Sequence, residues 1–277
     1  MADAAENDSP FFMYLAFNAP HDPRRSPAEY VGRYPADSIL IPDNFKPHYP
    51  YASEIGCGDR LRDEHIAAFP RTQKAIQVHR QEYYAIITHM DEMIGRILKA
   101  LEASGNAENT WIFFTADHDL AVGQHGLQRK QNMYDHSVRV PFIVVGPGVD
   151  AAKKIAEPIY LQDVMPTTLG IAGVKHPEHV EFNSLFPLLD GATSPYNSIY
   201  GCYLSKQRSI RTDRYKLLAY PDAKVLRLYD LQRDPTERHD LAQQAKMKPV
   251  VASLFRSLIA LQRKMNDDLE LSALARQ

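Results

Sequence analysis

Residues 109–119 read NTWIFFTADHD, a run of bulky apolar side chains that stops at Thr115 and gives way to Asp117, His118 and Asp119. An apolar run of this length predicts a strand buried on both faces. In open α/β sheets, ligands sit just beyond the carboxyl ends of the strands. The acid-imidazole pair therefore falls where a site belongs, with a carboxylate oxygen and a ring nitrogen offered to one metal ion. The next residues, 122–130 (VGQHGLQRK), carry two glycines that allow a tight return of the chain, placing His125 and Lys130 over the same point. A lysine there suits an anionic ester and offsets charge developing on a leaving oxygen. Taken singly, Asp117 reads as a cap, His118 and His125 as surface residues, and Lys130 as solvated. Their concentration on one strand exit and its loop favours the functional reading.

Working outward, residues 140–145 (VPFIVV) form a second apolar run, ended by Gly146-Pro147-Gly148. Residues 10–18 (PFFMYLAFN) form a third, which reads as a buried strand ending in a proline-locked loop. His21 follows that strand and is placed to give a proton or hydrogen bond to a leaving group. From Thr72 to Ser104 the apolar residues fall at three- and four-residue steps (Tyr84, Ile87, Ile94, Leu98, Leu101), and Gly105 suits the position after a helix. Asp91 reads as a buried structural group on that helix. Apolar strands alternating with a long helix predict a mostly parallel sheet covered by helices on both faces. Between Pro20 and Pro70, eight prolines interleaved with aromatic residues predict a long surface loop of functional length.

A short helix is expected up to about Ala172, and a further apolar segment spans residues 185–189. From residue 197 the texture changes to NSIYGCYL, QRSIRTD, RYKLLAYP and KVLRLYDL, four strand-like runs separated by turn residues. These predict a small antiparallel sheet, followed by a helix over residues 248–274. The expected division is an α/β domain over residues 1–195 and an antiparallel-sheet and helix subdomain over residues 196–277.

Composition narrows the partners. With 32 basic and 34 acidic residues and no basic run, the chain offers nothing to track a nucleic-acid backbone. No segment reaches about 18 uninterrupted apolar residues, so no membrane span is expected. The opening MADAAENDSP lacks the basic and apolar regions of a signal peptide, and the compartment stays open. Cys57 and Cys202 show neither a disulfide framework nor metal-ligand spacing.

Read together, PFFMYLAFNAPHDP, ITHMDEMIGRILKALEASG, ENTWIFFTADHD, VGQHGLQRKQNMYDHSVRVPFIVVGPG, LQDVMPTTLGIAG, RSIRTDRYKLLAY and LYDLQRDPTERHDLA resemble the sulfatase family of the alkaline phosphatase superfamily. The resemblance runs from about Ser9 to Ala242 and covers the later part of a family member. It implies an alkaline-phosphatase-like fold, with the N-terminal part of the α/β sandwich missing. It also implies metal-dependent cleavage of a sulfate ester on a small molecule or carbohydrate. Asp117 and His118 then fill the second pair of metal-ligand positions, usually serving Ca²⁺, although the residue chemistry equally allows Mn²⁺ or Zn²⁺. His21 and Lys130 contact the sulfate or its bridging oxygen, and His125 shapes the substrate pocket. Asp119 replaces the glycine usual after the Asp-His pair.

The larger departure is an absence. Family members carry two metal-binding aspartates near their first strand, and a Cys or Ser in a C/S-x-P/A-x-R motif that matures to the formylglycine nucleophile. Neither is present here: Cys57 lies in IGCGDRL, with Leu61 where the arginine would stand. Met1 is thus expected to be an internal methionine of a longer reading frame, with an upstream polypeptide completing the fold. A phosphoester or phosphonate hydrolase of the same superfamily is the alternative enzyme, and a non-catalytic remnant the alternative of another class.

Overall fold

The computed structural model describes residues 9–275. The first eight residues, most of the stretch lacking an export signal, lie outside that range. The described residues begin with an extended segment and a short helix α1 (Ala28–Gly32), then the long helix α2 (Gln73–Ala103). Thr72 caps α2 by accepting the Ala75 N–H at 3.2 Å, and Gly105 follows it at φ 75°, so both ends lie where the sequence puts them. The apolar stripe of α2 is half-buried along most of its length, and Asp91 is exposed rather than internal.

Strand β1 (Ile112–Thr115) and strand β2 (Phe142–Val145) flank the Asp-His loop and the short helix α3 (Asp135–Val138). They pair antiparallel, with Ile112 opposite Val145 and Thr115 opposite Phe142. Parallel pairing does not occur among the described residues, because the loop and α3 bring the chain back beside β1 in the reverse direction. Burial on both faces is not reached either: Phe114, Ile143 and Val145 are 37%, 54% and 54% exposed. The run at residues 10–18 forms no strand, and Phe12 and Tyr14 stand 81% and 84% exposed. An apolar run becomes a buried strand only where a neighbour supplies hydrogen bonds and a packed layer, and the described residues bring none to it.

Helices α4 (Val164–Ile171) and α5 (Phe186–Leu189) lead to the second sheet, of strands β3 (Ile199–Tyr203), β4 (Gln207–Arg211), β5 (Tyr215–Tyr220) and β6 (Val225–Asp230), all antiparallel in that order. The four strand-like runs each became one strand. Period-two alternation sends Ile210, Leu217 and Leu228 to a core closed by Leu258 and Phe255 of helix α6 (Lys248–Lys264). It sends Leu218, Tyr220 and Tyr229 to the other face. Helix α6 stops short of the predicted end; Asn266 at φ 54° turns the chain, and Leu271 and Leu274 fold back into the same core.

That other face is covered by residues 49–57 of the proline-rich segment, which enter the core, while many of residues 21–48 stay on the surface. Tyr49, Ala52, Ile55 and Cys57 pack against Leu218, Tyr220 and Tyr229, together with Leu127 and Tyr134. Turn hydrogen bonds such as Ile55 N–H to Tyr51 O (3.0 Å) and Cys57 N–H to Ala52 O (2.7 Å) satisfy its backbone without regular structure. The hydroxyls of Tyr49, Tyr134, Tyr220 and Tyr229 form a buried chain, with Tyr49 to Tyr134 at 2.8 Å and Tyr134 to Tyr229 at 2.9 Å. One core thus joins residues on both sides of position 195.

Candidate functional site

Thr115 ends β1, and the chain turns at once to present Asp117 and His118. The Asp117 side chain is 86% exposed; its Oδ1 accepts the His118 N–H at 3.1 Å and its Oδ2 lies 3.5 Å from His118 Nε2. The loop then doubles back, tied by Gly123 N–H to Leu127 O (2.8 Å) and Asp119 N–H to Ser137 O (2.9 Å). Glycine is required at two points. Gly123 has φ 99° and a Cβ there would meet Ile76 Cγ2 at 2.5 Å; Gly126 has φ 79° and a Cβ would meet the Lys46 carbonyl at 2.6 Å. The return brings Lys130 to Asp117 and His118 across a cleft of about 360 Å³, whose walls also include Gln131, Met133, Val138 and Tyr203.

Lys130 is mounted rather than tethered. Buried Glu64 accepts the N–H groups of Gln128 (3.0 Å) and Arg129 (3.2 Å), and is itself held by the buried Arg71 guanidinium at 2.6 Å. The Asp63 carbonyl accepts Arg129 Nε–H at 2.9 Å, and the Asp63 carboxylate accepts Gln131 Nε2–H at 2.6 Å. Residues 63 and 64 therefore grip the chain on both sides of Lys130, while its ammonium pairs with no carboxylate among the described residues. Burial opposes ionisation of Asp63, but the hydrogen bonds from Gln131 and Arg62 and the charge of Lys130 hold its carboxyl below the usual range.

His21 is not among the residues that line the cleft but lies within reach of the charge of Lys130. Its affinity for a proton is lowered by burial, then by the charges of Lys130 and Arg129, with Asp63 acting the other way. Its Nδ1 lies 3.1 Å from the Asp22 carbonyl, which as acceptor fixes Nδ1 as the protonated nitrogen and leaves Nε2 for the site. The Asp22 carboxylate forms an ion pair with Arg129, joining the His21 and Lys130 segments. The proton affinity of His118 is likewise lowered by burial and by Lys130, against the pull of Asp117. Neutral imidazole is the form that binds metal.

His125 is not on the cleft. It is 1% exposed and stacks on Tyr134 with ring centroids 3.9 Å apart, and burial lowers its pKa to about 2. It is a packing element beneath the site, not a contact for substrate from where it stands. Asp119, which replaces a glycine in the resemblance, does not point a free charge at the site: its Oδ1 accepts the Tyr83 hydroxyl at 2.6 Å, binding the loop to α2.

Asp117 and His118 fit part of a metal's donor set, one carboxylate and one imidazole whose Nδ1 is buried without a partner. Among the described residues no group of three or more His, Cys, Asp or Glu forms a complete cage. Glu64, Arg71, Asp63 and Tyr203 were outside sequence reasoning, because each reaches the site by long-range packing that no local pattern announces.

The comparisons with known proteins concern the family and the fold. The family model described as Sulfatase matches residues 1–174, and the one described as N-sulphoglucosamine sulphohydrolase, C-terminal, matches residues 123–264. Arylsulfatase K of Xenopus laevis is 30% identical over 274 residues, covering 88% of this chain and 51% of that protein. The chain thus spans about half the length of the curated relatives it matches. Two solved structures share the fold. The phosphonate monoester hydrolase of Agrobacterium radiobacter has a TM-score of 0.77 at 22% identity, over 93% of this chain and 57% of that one. A chain solved with its substrate D-glucosamine-2-N,6-O-disulfate has a TM-score of 0.72 at 22% identity, over 91% and 65%. With the Asp-His strand exit, the folded-back lysine loop and a family model that matches more than half its length, the chain belongs to the sulfatase family, whose fold is alkaline-phosphatase-like.

Proposed function

We propose that this chain supplies the metal-binding and leaving-group side of a sulfate-ester hydrolase site. The observation that carries the proposal is the convergence of Asp117, His118 and Lys130 on one cleft, with His21 under the charge of the same lysine. Asp117 and His118 would hold a divalent cation, Ca²⁺ by family habit, which when bound stabilises negative charge on the sulfate oxygens. The Lys130 ammonium binds the anionic ester and offsets charge on the bridging oxygen as the S–O bond breaks. His21, hydrogen-bonded through Nδ1–H to the Asp22 carbonyl, acts as an acid only as the imidazolium, giving its Nε2 proton to that oxygen and returning to the neutral Nδ1–H form; its lowered proton affinity makes that imidazolium a stronger acid and a smaller population.

The nucleophile is not in this chain. No residue of the 277 fits the formylglycine motif, so no attacking group is assigned to them. Exposed Ile143 and Val145 leave one face of the first sheet open to a packing partner. The alcohol side of the substrate is a sulfated small molecule or carbohydrate, a reading supported by the disulfated glucosamine bound to one structural neighbour and by the name of the frog relative.

Calorimetric titration with Ca²⁺ tests the proposal. Heat of binding is expected for the wild type and its loss for Asp117→Ala and His118→Ala, with folding checked by circular dichroism. Identical isotherms for all three proteins would sink the metal assignment.

A further inference from the structure

One wall of the cleft comes from the C-terminal sheet. Tyr203 is the last residue of β3 and pairs across the ladder with Gln207 of β4. Gln207 is fully buried, and its Nε2 donates to the Ile55 carbonyl and the Gln131 carbonyl, each at 2.8 Å. Gln131 is the neighbour of Lys130, and its carbonyl also accepts the Cys57 Sγ–H at 2.8 Å. The end of the β3–β4 hairpin is therefore fastened one residue from the lysine. The Tyr203 ring is backed by Gly56, where a Cβ would come within 3.4 Å of Cε1, and the ring lines the cleft. Beside it stand Met133 and Val138, the latter 43% exposed. The cleft thus has a charged end at Asp117, His118 and Lys130 and a wall offering an aromatic ring and two apolar side chains.

We propose that Tyr203 is a specificity-determining residue, packing its ring against the alcohol portion of an ester whose sulfate is held at Lys130. This rests on the sulfate-ester reading above and adds to it a selection for alcohols that begin with a ring presenting a flat apolar face. A small flexible alcohol leaves the Tyr203 wall uncovered and gains nothing from it. Because the hairpin end is pinned through Gln207, the ring is in place before the ligand arrives, so little ordering opposes the contact.

Equilibrium binding to the 277-residue chain with Ca²⁺ present decides the matter, using inorganic sulfate, methyl sulfate, 4-nitrophenyl sulfate and glucose 6-sulfate. The wild type is expected to hold at least one of the two ring esters more tightly than methyl sulfate. Tyr203→Leu, which keeps apolar bulk for folding, and Tyr203→Ala are expected to weaken that ring ester roughly fivefold to tenfold. Inorganic sulfate and methyl sulfate should be unaffected, and Tyr203→Phe should retain the preference. Which ring ester responds distinguishes an aryl from a sugar alcohol. Equal affinity of wild type and Tyr203→Leu for both ring esters, with inorganic sulfate still bound, overturns this inference alone. Parallel loss for all four ligands assigns Tyr203 a structural role and also overturns it. If the wild type binds no sulfate ligand, the sulfate-ester reading falls and this inference with it.

Discussion

The two sheets of this molecule use similar apolar sequences and reach opposite outcomes. In β4 to β6, Ile210, Leu217, Leu218 and Leu228 are all fully buried, one face under α6 and the other under the proline-rich segment. In β1 and β2, Phe114, Ile143 and Val145 keep 37% or more of their surface exposed. The difference is in what packs on the strands, not in their composition. The first sheet nevertheless carries the Asp-His pair, so the chemistry is mounted on the less protected region and steadied from the sealed one.

Beside the apolar core that joins the regions lies an ionic joint. Lys216 of β5, 1% exposed at its side chain, forms ion pairs with Asp135 of α3 and with Glu237, the latter at 2.9 Å. Asp135 N–H donates to Glu237 at 2.7 Å. Removing the cation leaves buried Glu237 without a cation and Asp135 with Arg211 alone, so Lys216→Ala is expected to cost about 3–5 kcal/mol, read by urea unfolding. A loss below 1 kcal/mol would show that the two regions are not joined there. Leu228→Ala, inside the sealed sheet, should cost about 2–5 kcal/mol by the same measurement. If it costs no more than a substitution in β2, the contrast between the sheets collapses.

A third prediction concerns acid. Burial lowers the pKa of His125 to about 2 and, with the charge of Lys216, that of His136 to about 3, from an ordinary 6.5. Both are neutral when folded, whereas the unfolded chain takes up protons below pH 6.5, so their contribution is full above that pH and is lost as pH falls toward 3. Stability measured from pH 7 to pH 4 should decline by close to two protons' worth of slope from this pair, and His125→Phe should remove about one of them. An unchanged slope in that variant would contradict the buried, neutral position of His125. The smallest effect belongs to the open sheet: Ile143→Ser should change stability by about 0.5 kcal/mol or less while reducing self-association measured by light scattering. A large destabilisation would mean that β2 is sealed after all.

Much of this was legible in the sequence where local pattern and long-range structure agree. The span of α2, with Thr72 and Gly105 at its ends, follows from helical spacing and cap chemistry. The four strands of the second sheet follow from turn residues between short apolar runs. Asp117, His118 and His21 came from their positions after apolar runs and Lys130 from the glycine loop, and that loop brings Lys130 to the cleft that Asp117 and His118 line. The first sheet was misread because an apolar run says that a strand wants burial, not that a neighbour is there to give it. The proline-rich segment was misread because its aromatic residues find a core without helix or sheet. Glu64 and Tyr203 were invisible for a further reason: Glu64 acts on the Gln128 and Arg129 amides far along the chain and Tyr203 through a hairpin end, while Arg71 serves by holding Glu64.

The central claim is that this chain carries the metal and leaving-group side of the site without the attacking group. The most direct test is turnover of 4-nitrophenyl sulfate by the purified 277-residue protein in saturating Ca²⁺. The account predicts release of 4-nitrophenol at the buffer rate, unchanged by Lys130→Ala. Robust turnover that Lys130→Ala abolishes would show that a nucleophile exists within these residues and would contradict it.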